Sequence, residues 1–597
     1  MRKSYFLLLF VLCTFNVTIA QKTIYVNASN NTVDQNGTQE NPYSSIKKGL
    51  LVSQNGYSLS VADGVYNEDT LLIDKCVSVN GRGRFTTTVN GTFILSSKLD
   101  TLPVVISELW CRNVLHNDSG YTQTPLAIME CGLQTLDDHT PSVGETGRIL
   151  VSNCVVADSI HISSSTCAAR REIINCESGS GLWVSCNSTQ GIIRIEGNQV
   201  AGSLRVRTVA KADTIFILNN TVSDSLVVLS TASDPDVISN NNVGNGLRLK
   251  AIAHDGFQFF GNQIQNGSLR AQYTALSESV IKNNTFLNGG ISFKATAGDI
   301  AIKENEIHTD GTVAGIRFKT TAGGYFENNT ITLPYFEPSG LPFETDTSSV
   351  CGINGVYLSA IASNEFDQNE IKGSHYGLYL KSVSGYVDSN RVENCIGDGM
   401  ILDYQPEYTD TNAIRLNYNI IRNNGGHGIW TRGNCPMGKL DEPGTGFNII
   451  KDNGGYDLYV ETLSVFADTI WAQNNEWTHS TEEEVGQWDI FDKNDDQTKA
   501  IVIFSPVMPT GVVEKKTNEL VVYPNPTHGN FQISASKFQN KKYQIEVVDL
   551  NGRVLEKFNQ LPESDSREFD IGHLKPGVYF IRLCYENQTA IKKIVKR

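Results

Sequence analysis

"NNVGNGLRLK", residues 241–250, holds the two short patterns that decide the fold. The first is Asn241-x-Val243, an asparagine two places ahead of an apolar residue. The second is Gly246-Leu247-Arg248-Leu249-Lys250, a small residue followed by apolar and cationic side chains in alternation. Strand side chains alternate between faces. Leu247 and Leu249 are therefore expected to point inward, and Arg248 and Lys250 outward.

Both patterns recur along the chain. The motif N-x-[V/I/F/W] has its asparagine at 153, 198, 220, 241, 262, 284, 305, 329, 369, 390, 419, 448 and 475, with a weaker copy at Asn175, and most spacings are 21 to 24 residues. Between the asparagines lie GLWVS (181–185), SLRVR (203–207), GIRFK (315–319), GVYLS (355–359), GLYLK (377–381), GMILD (399–403) and GIWTR (428–432). Such a unit is too short for strand–helix–strand and has no helical periodicity. One unit cannot bury its apolar side, but stacked coils can. Leucine-rich repeats share the period yet need a denser leucine pattern. The asparagines are expected at turns, where tolerance of left-handed backbone and bonding up the column both help.

The fold predicted is all-β: a parallel β-helix solenoid with a small C-terminal antiparallel β-sandwich. On these repeats the chain resembles the right-handed parallel β-helix, pectate-lyase-like superfamily, over roughly residues 23–505. The expected division is a signal peptide at 1–20, an N-terminal cap and first coils at 21–100, the β-helix at 101–507, a linker at 508–518 and a sorting domain at 519–597.

Arg2 and Lys3 ahead of an apolar run, with Thr18 and Ala20 before Gln21, read as a secretory signal. The run is short for a membrane span, and Leu12 ahead of Cys13 does not suit a lipoprotein signal. No transmembrane segment is expected in the mature chain. Of twelve cysteines, Cys111, Cys131, Cys154 and Cys176 recur near the repeat period. They suit either a stack of small fillers or bridges between coils.

Near the C-terminus, YPNP (523–526), GNF (529–531), DLNG (549–552), LKPGVY (574–579) and a basic tail closely resemble the type A C-terminal sorting domain of the type IX secretion system. The resemblance implies that the secretion machinery is a partner. It also implies release from, or attachment to, the outer cell surface of a Gram-negative bacterium.

The formal net charge is −15, which argues against a nucleic-acid partner. Against that acidic background the outward positions of the repeated strand are mostly cationic or aromatic. Trp183, Arg205, Arg207, Arg248, Lys250, Arg270, Arg317, Lys319, Tyr357, Tyr379 and Trp430 are the candidate ligand-binding residues. Insertions at 332–351, 404–411 and 432–447 are expected to wall a groove over the aromatic end. Cations and flat rings suit an acidic polysaccharide. Solvation of a sheet face is the plainer alternative.

Lyases of the resembling superfamily remove a proton beside a uronate carboxylate, which makes Lys381, Arg432, His427 and Asp403 the catalytic candidates. Whether the polymer is only bound or also depolymerised stays open. So do two rival readings: a non-catalytic surface or adhesion protein with the β-helix as a rigid spacer, and a polygalacturonase-like hydrolase suggested by GDG (397–399) and GHG (426–428). No cofactor is required and no metal ligands are assigned. The acidic loop DKNDDQ (492–497) suits Ca²⁺ or a solvated turn. The chain is expected to be a monomer.

Overall fold

The computed structural model describes residues 22–508 and 521–596 apart from short stretches, the longest being 333–353, 404–413, 535–542 and 561–567. The signal segment, most of the linker, most of the three insertions, and the side chains of Lys319 and Tyr357 lie outside the described residues. The chain divides into two compact units, 1–508 and 509–597.

In the first unit most coils lay down three strands. In one coil these are Ile193–Glu196, Gln199–Val200 and Leu204–Lys211. The next coil repeats them as Ile215–Leu218, Thr221–Val222 and Leu226–Ser233. The pairing between coils is parallel and in register, Ile193 against Ile215, Gln199 against Thr221 and Leu204 against Leu226. Residues one coil apart therefore stack, and an inward column such as Ile195, Ile217, Ile238, Phe259 and Ile281 is fully buried. Among the larger side chains, Phe293 stacks on Phe318 at 5.4 Å and Phe326 on Phe366 at 4.5 Å, with Phe318 edge-to-face on Phe326 at 5.2 Å.

The repeated asparagine proves to serve two positions, not one. The left-handed corner residue is Asn219, Asn240, Asn283 or Asn328 in four of the coils, with φ of 54–56°. Glycine or another residue fills the same corner elsewhere, as at Gly197 and Gly261. The following residue is the interior ladder asparagine: Asn198, Asn220, Asn241, Asn262, Asn284, Asn305, Asn329, Asn369, Asn390, Asn419, Asn448 and Asn475. Each Oδ1 from Asn220 onward accepts from the N–H and Nδ2 of the preceding rung, as Asn262 does from Asn241 at 3.0 and 2.9 Å. From Asn198 to Asn448 each Nδ2 also donates to a backbone carbonyl of the preceding coil, as Asn262 does to Ile238 at 2.9 Å; Asn475 donates instead within its own coil, to Ala472 O at 2.8 Å. Asn153 and Asn175 are corner residues with φ 53°. In their coils the ladder place belongs to Cys154 and Cys176, whose thiols lie by Ile128 O and Val151 O. Cys111, Cys131, Cys154, Cys176, Cys395 and Cys435 are buried thiols outside any disulfide; Cys154 and Cys176 are rungs that extend the ladder upstream.

The N-terminal end of the core is covered by the helix Ile46–Val52, capped by Ser45 and burying Ile46 and Leu50. Glu68 accepts from the N–H of Ile46 at 2.7 Å, a carboxylate at the positive end of the helix. At the far end Trp477 is fully buried. Among the described residues no helix is long and apolar enough to cross a membrane.

The second unit has two antiparallel sheets. One contains Val521–Tyr523, Asn530–Ser534 and Glu568–Asp570. The other contains Tyr543–Val548, Val554–Gln560, Gly577–Tyr585 and Gln588–Lys596. Phe531, Ile545, Val547, Phe569, Ile581 and Leu583 form its core.

Candidate functional site

The in-register stacking that builds the core also builds columns on the outer face of the long strands. Cα partners run Trp183, Arg205, Val227, Arg248, Arg270, Ser292, Arg317, Tyr357, Tyr379, Ile401, Trp430 without a break. A second column runs Ser185, Arg207, Leu229, Lys250, Gln272, Lys294, Lys319, Ser359, Lys381, Asp403, Arg432 through the same pairs.

Arg205, Arg207, Arg248, Arg270, Lys294 and Arg317 are exposed, and Lys250 is half-buried. Elsewhere on the solenoid several cations meet carboxylates. Arg148 meets Glu172 at 2.6 Å, Arg194 meets Glu196 at 2.7 Å, Lys303 meets Glu327 at 3.1 Å, and Arg391 and Arg422 share Glu393 at 2.7 and 2.6 Å. On the outer columns none of Arg207, Arg248, Lys250, Arg270, Lys294 or Arg317 pairs with a described residue.

The aromatic end differs from expectation. Tyr379 and Asp403 occupy outward positions but are only 8% and 7% exposed. The Tyr379 hydroxyl donates to Asp403 Oδ2 at 3.0 Å. Arg432 approaches Asp403 Oδ1 at 3.4 Å and lies 5.3 Å from the Trp430 ring. These side chains lean along the face onto one another, so Arg432 is engaged rather than free. Lys381 is half-buried and stands one coil from Asp403 in the same column.

His427 lies at the turn before its strand, outside both columns. Its Nδ1 accepts from the Tyr456 N–H at 2.9 Å, and its own N–H donates to Asp398 Oδ1 at 2.6 Å. Burial is the main cause that lowers the His427 pKa and raises that of Asp398, so both are pushed toward their neutral forms. The glycines of GDG and GHG have a structural reason. A Cβ on Gly399 would meet Gly428 O at 2.8 Å, and one on Gly428 would meet Asp457 O at 2.6 Å. Coil spacing alone thus demands them.

Three features were missed in the sequence. The aromatic column continues from Trp430 to Tyr459 and Phe491. Tyr459 stacks on Phe491 at 4.8 Å and on His427 at 4.6 Å. Leu-Tyr-Val at 458–460 was the available signal. A cavity of about 470 Å³ lies by the corner residues, lined by Arg82, Arg84, Phe85, Glu108 and Glu130 among others. Upstream of Trp183, the outer face carries Asp137, His139 and His161 together. The acidic loop 492–497 is largely occupied with its own turn: Asp492 accepts from Asn494 and Val502 N–H at 2.8 Å, and Asp496 from Thr498 N–H at 2.9 Å.

Residues 521–597 match the secretion system C-terminal sorting domain family. The chain is accordingly secreted or attached to the outer surface of a Gram-negative cell. Among solved structures it is similar to a PL6 family alginate lyase, AlyGC, at 11% identity, over 78% of this chain and 83% of that one, with a TM-score of 0.22. An arginine-to-alanine mutant of that enzyme gives 13% identity, the same coverage and a TM-score of 0.24. No curated protein matches the chain. The solenoid reading here rests on the strand register.

Proposed function

We propose that this exported solenoid binds an acidic polysaccharide along the outer face of its long strands. The observation that carries the reading is the contrast in charge pairing. Several cations elsewhere on the solenoid are matched by carboxylates, whereas Arg207, Arg248, Lys250, Arg270, Lys294 and Arg317 have no carboxylate match among the described residues of a chain of net charge −15. Arg205 to Arg317 spans five coil steps, roughly 24 Å at the usual strand spacing. That length suits a linear polyanion better than a small molecule. Guanidinium groups grip carboxylates and sulfates in two-pronged fashion. Trp183 upstream and Trp430, Tyr459 and Phe491 downstream supply flat faces for sugar rings.

Depolymerisation is the finer form of the same reading, with Lys381 as the residue placed to take a proton beside the Tyr379–Asp403–Arg432 cluster. Titration of the purified chain with alginate, pectate and glycosaminoglycan fragments tests binding. The double charge reversal Arg248→Glu/Arg270→Glu should weaken it at least tenfold, and added salt should weaken the wild type. Equal binding by wild type and double variant removes the proposal. Ultraviolet absorbance of unsaturated uronate ends tests cleavage, and Lys381→Ala should abolish any signal.

A further inference from the structure

Asp137 and His139 alternate on the strand Gly132–His139, so both project from its outer face. The next coil places His161 against Asp137 and Ser163 against His139. One carboxylate and two imidazoles thus converge, with a ligand atom from each lying within 4.8 Å of the others. His139 Nε2 is 2.8 Å, and His161 Nδ1 3.4 Å, from the same oxygen, Asp137 Oδ1. In a tetrahedral site with bonds near 2.0–2.1 Å, donor atoms stand about 3.3 Å apart. The two separations to Asp137 Oδ1, 2.8 and 3.4 Å, bracket that value.

Two further observations point to a ligand. Asp137 Oδ1 is shielded from solvent yet makes no well-directed hydrogen bond, although both imidazoles crowd it. Such an atom is costly to leave unmatched, and a cation between the three donors satisfies it. In addition, His139 is held from behind. Its Nδ1 meets the Ser163 hydroxyl, the support expected of a ligating imidazole, and leaves Nε2 2.8 Å from Asp137 Oδ1. His161 is flanked edge-to-face by His139 at 4.6 Å and Trp183 at 5.7 Å, so its ring is confined.

We propose that Asp137, His139 and His161 form a binding site for a divalent transition-metal ion of the zinc type. Two nitrogens and one oxygen favour Zn²⁺, Co²⁺ or Ni²⁺ over Ca²⁺, which takes oxygen ligands in larger number. The three residues are each 33–40% exposed at the side chain, so the remaining coordination positions open to solvent on the outer face. The site stands one coil upstream of Trp183, and it does not depend on the glycan reading.

Tag-free, chelator-treated full chain titrated calorimetrically with Zn²⁺ should bind one ion through this site. Co²⁺ should give a visible d–d band that Zn²⁺ displaces and Ca²⁺ does not. His161→Ala and Asp137→Asn should each weaken binding at least tenfold, and Ser163→Ala about tenfold. A wild type that binds no stoichiometric Zn²⁺ overturns the proposal. So does binding unchanged in His139→Ala/His161→Ala with native circular dichroism. Should that variant fold poorly, the wild type decides: Zn²⁺ must shield His139 and His161 from carbethoxylation mapped by mass spectrometry, and absence of shielding overturns the site.

Discussion

Replacing Asn262 with leucine tests the physical claim on which the solenoid rests. The Asn262 side chain is fully buried. Its Oδ1 takes the N–H and Nδ2 protons of Asn241 at 3.0 and 2.9 Å, while its Nδ2 donates to Ile238 O at 2.9 Å and Asn284 Oδ1 at 3.0 Å. Leucine has similar size but cannot exchange these bonds. Asn284 Oδ1 keeps the Asn262 N–H at 2.9 Å, so its loss is partial. The two Asn241 donors lose their acceptor outright. At about 1–3 kcal/mol for each orphaned buried group, less the gain from burying an apolar side chain, the net cost is roughly 2–4 kcal/mol. Coils couple mainly to their neighbours, so the effect should be local. Native-state hydrogen exchange read by mass spectrometry should show opening of residues 236–290 enhanced roughly 30- to 1,000-fold. Residues 104–156 should be unchanged. Asn198→Cys should cost less, because Cys176 and Cys154 already serve as rungs one and two coils upstream. Unchanged exchange around Asn262→Leu would refute the ladder as a source of stability.

Asp457, held by Asn453 at 2.8 Å and Thr478 N–H at 2.9 Å, has its pKa raised to about 6, mainly by burial. The folded state then holds a proton that the unfolded state releases near the ordinary carboxylate range. Its contribution to stability is therefore present at low pH and lost as pH rises from about 4 through about 6, by no more than roughly 3 kcal/mol. Denaturant melts of wild type and Asp457→Asn across that window should differ in slope, and parallel curves would exclude this origin. Phe318, fully buried between Phe293 at 5.4 Å and Phe326 at 5.2 Å, should cost about 3–5 kcal/mol on truncation to alanine. Local exchange of residues 291–331 is the measurement; a cost below about 1 kcal/mol would mean that the core closes over the space.

The solenoid was legible because its period is dictated locally. Val243, Leu247 and Leu249 must face a core that one coil cannot supply, so their spacing fixes both strand length and coil length. The doubled role of asparagine was not legible. Corner and ladder residues are adjacent, and "NN" at 219–220, 240–241, 283–284 and 328–329 hides which does which. Only the φ near 55° of the first and the bonded interior place of the second separate them. On sequence alone Cys154 and Cys176 suit fillers or bridges, because nothing in a thiol's local sequence announces a ladder position. In the candidate site, register along the columns followed from strand alternation. The burial of Tyr379 and Asp403 did not, since it depends on what leans over a face rather than on which face is chosen. Asp137, His139 and His161 escaped notice because the repeat weakens upstream of residue 181, and residues of two coils become neighbours only once their register is known.

The same spacing argument separates function from architecture on the outer face. Where coils approach closely, as at Gly399 and Gly428, the backbone dictates the residue and a motif there says little about chemistry. On the exposed part of the outer columns, as at Arg248 and Arg270, nothing in the backbone dictates a residue, because the side chain there points to solvent. Stacking like charges a coil apart is unfavourable, so solenoid stability alone would intersperse carboxylates, as happens beside Arg391, Arg422 and Lys303. Arg248 stacked on Arg270, without a carboxylate partner among the described residues, is thus a cost that the fold itself does not require. It is offset when a polyanion lies along the stripe, which is why the charge reversal there is the sharper test of ligand binding than any change at the well-bonded Tyr379–Asp403–Arg432 cluster.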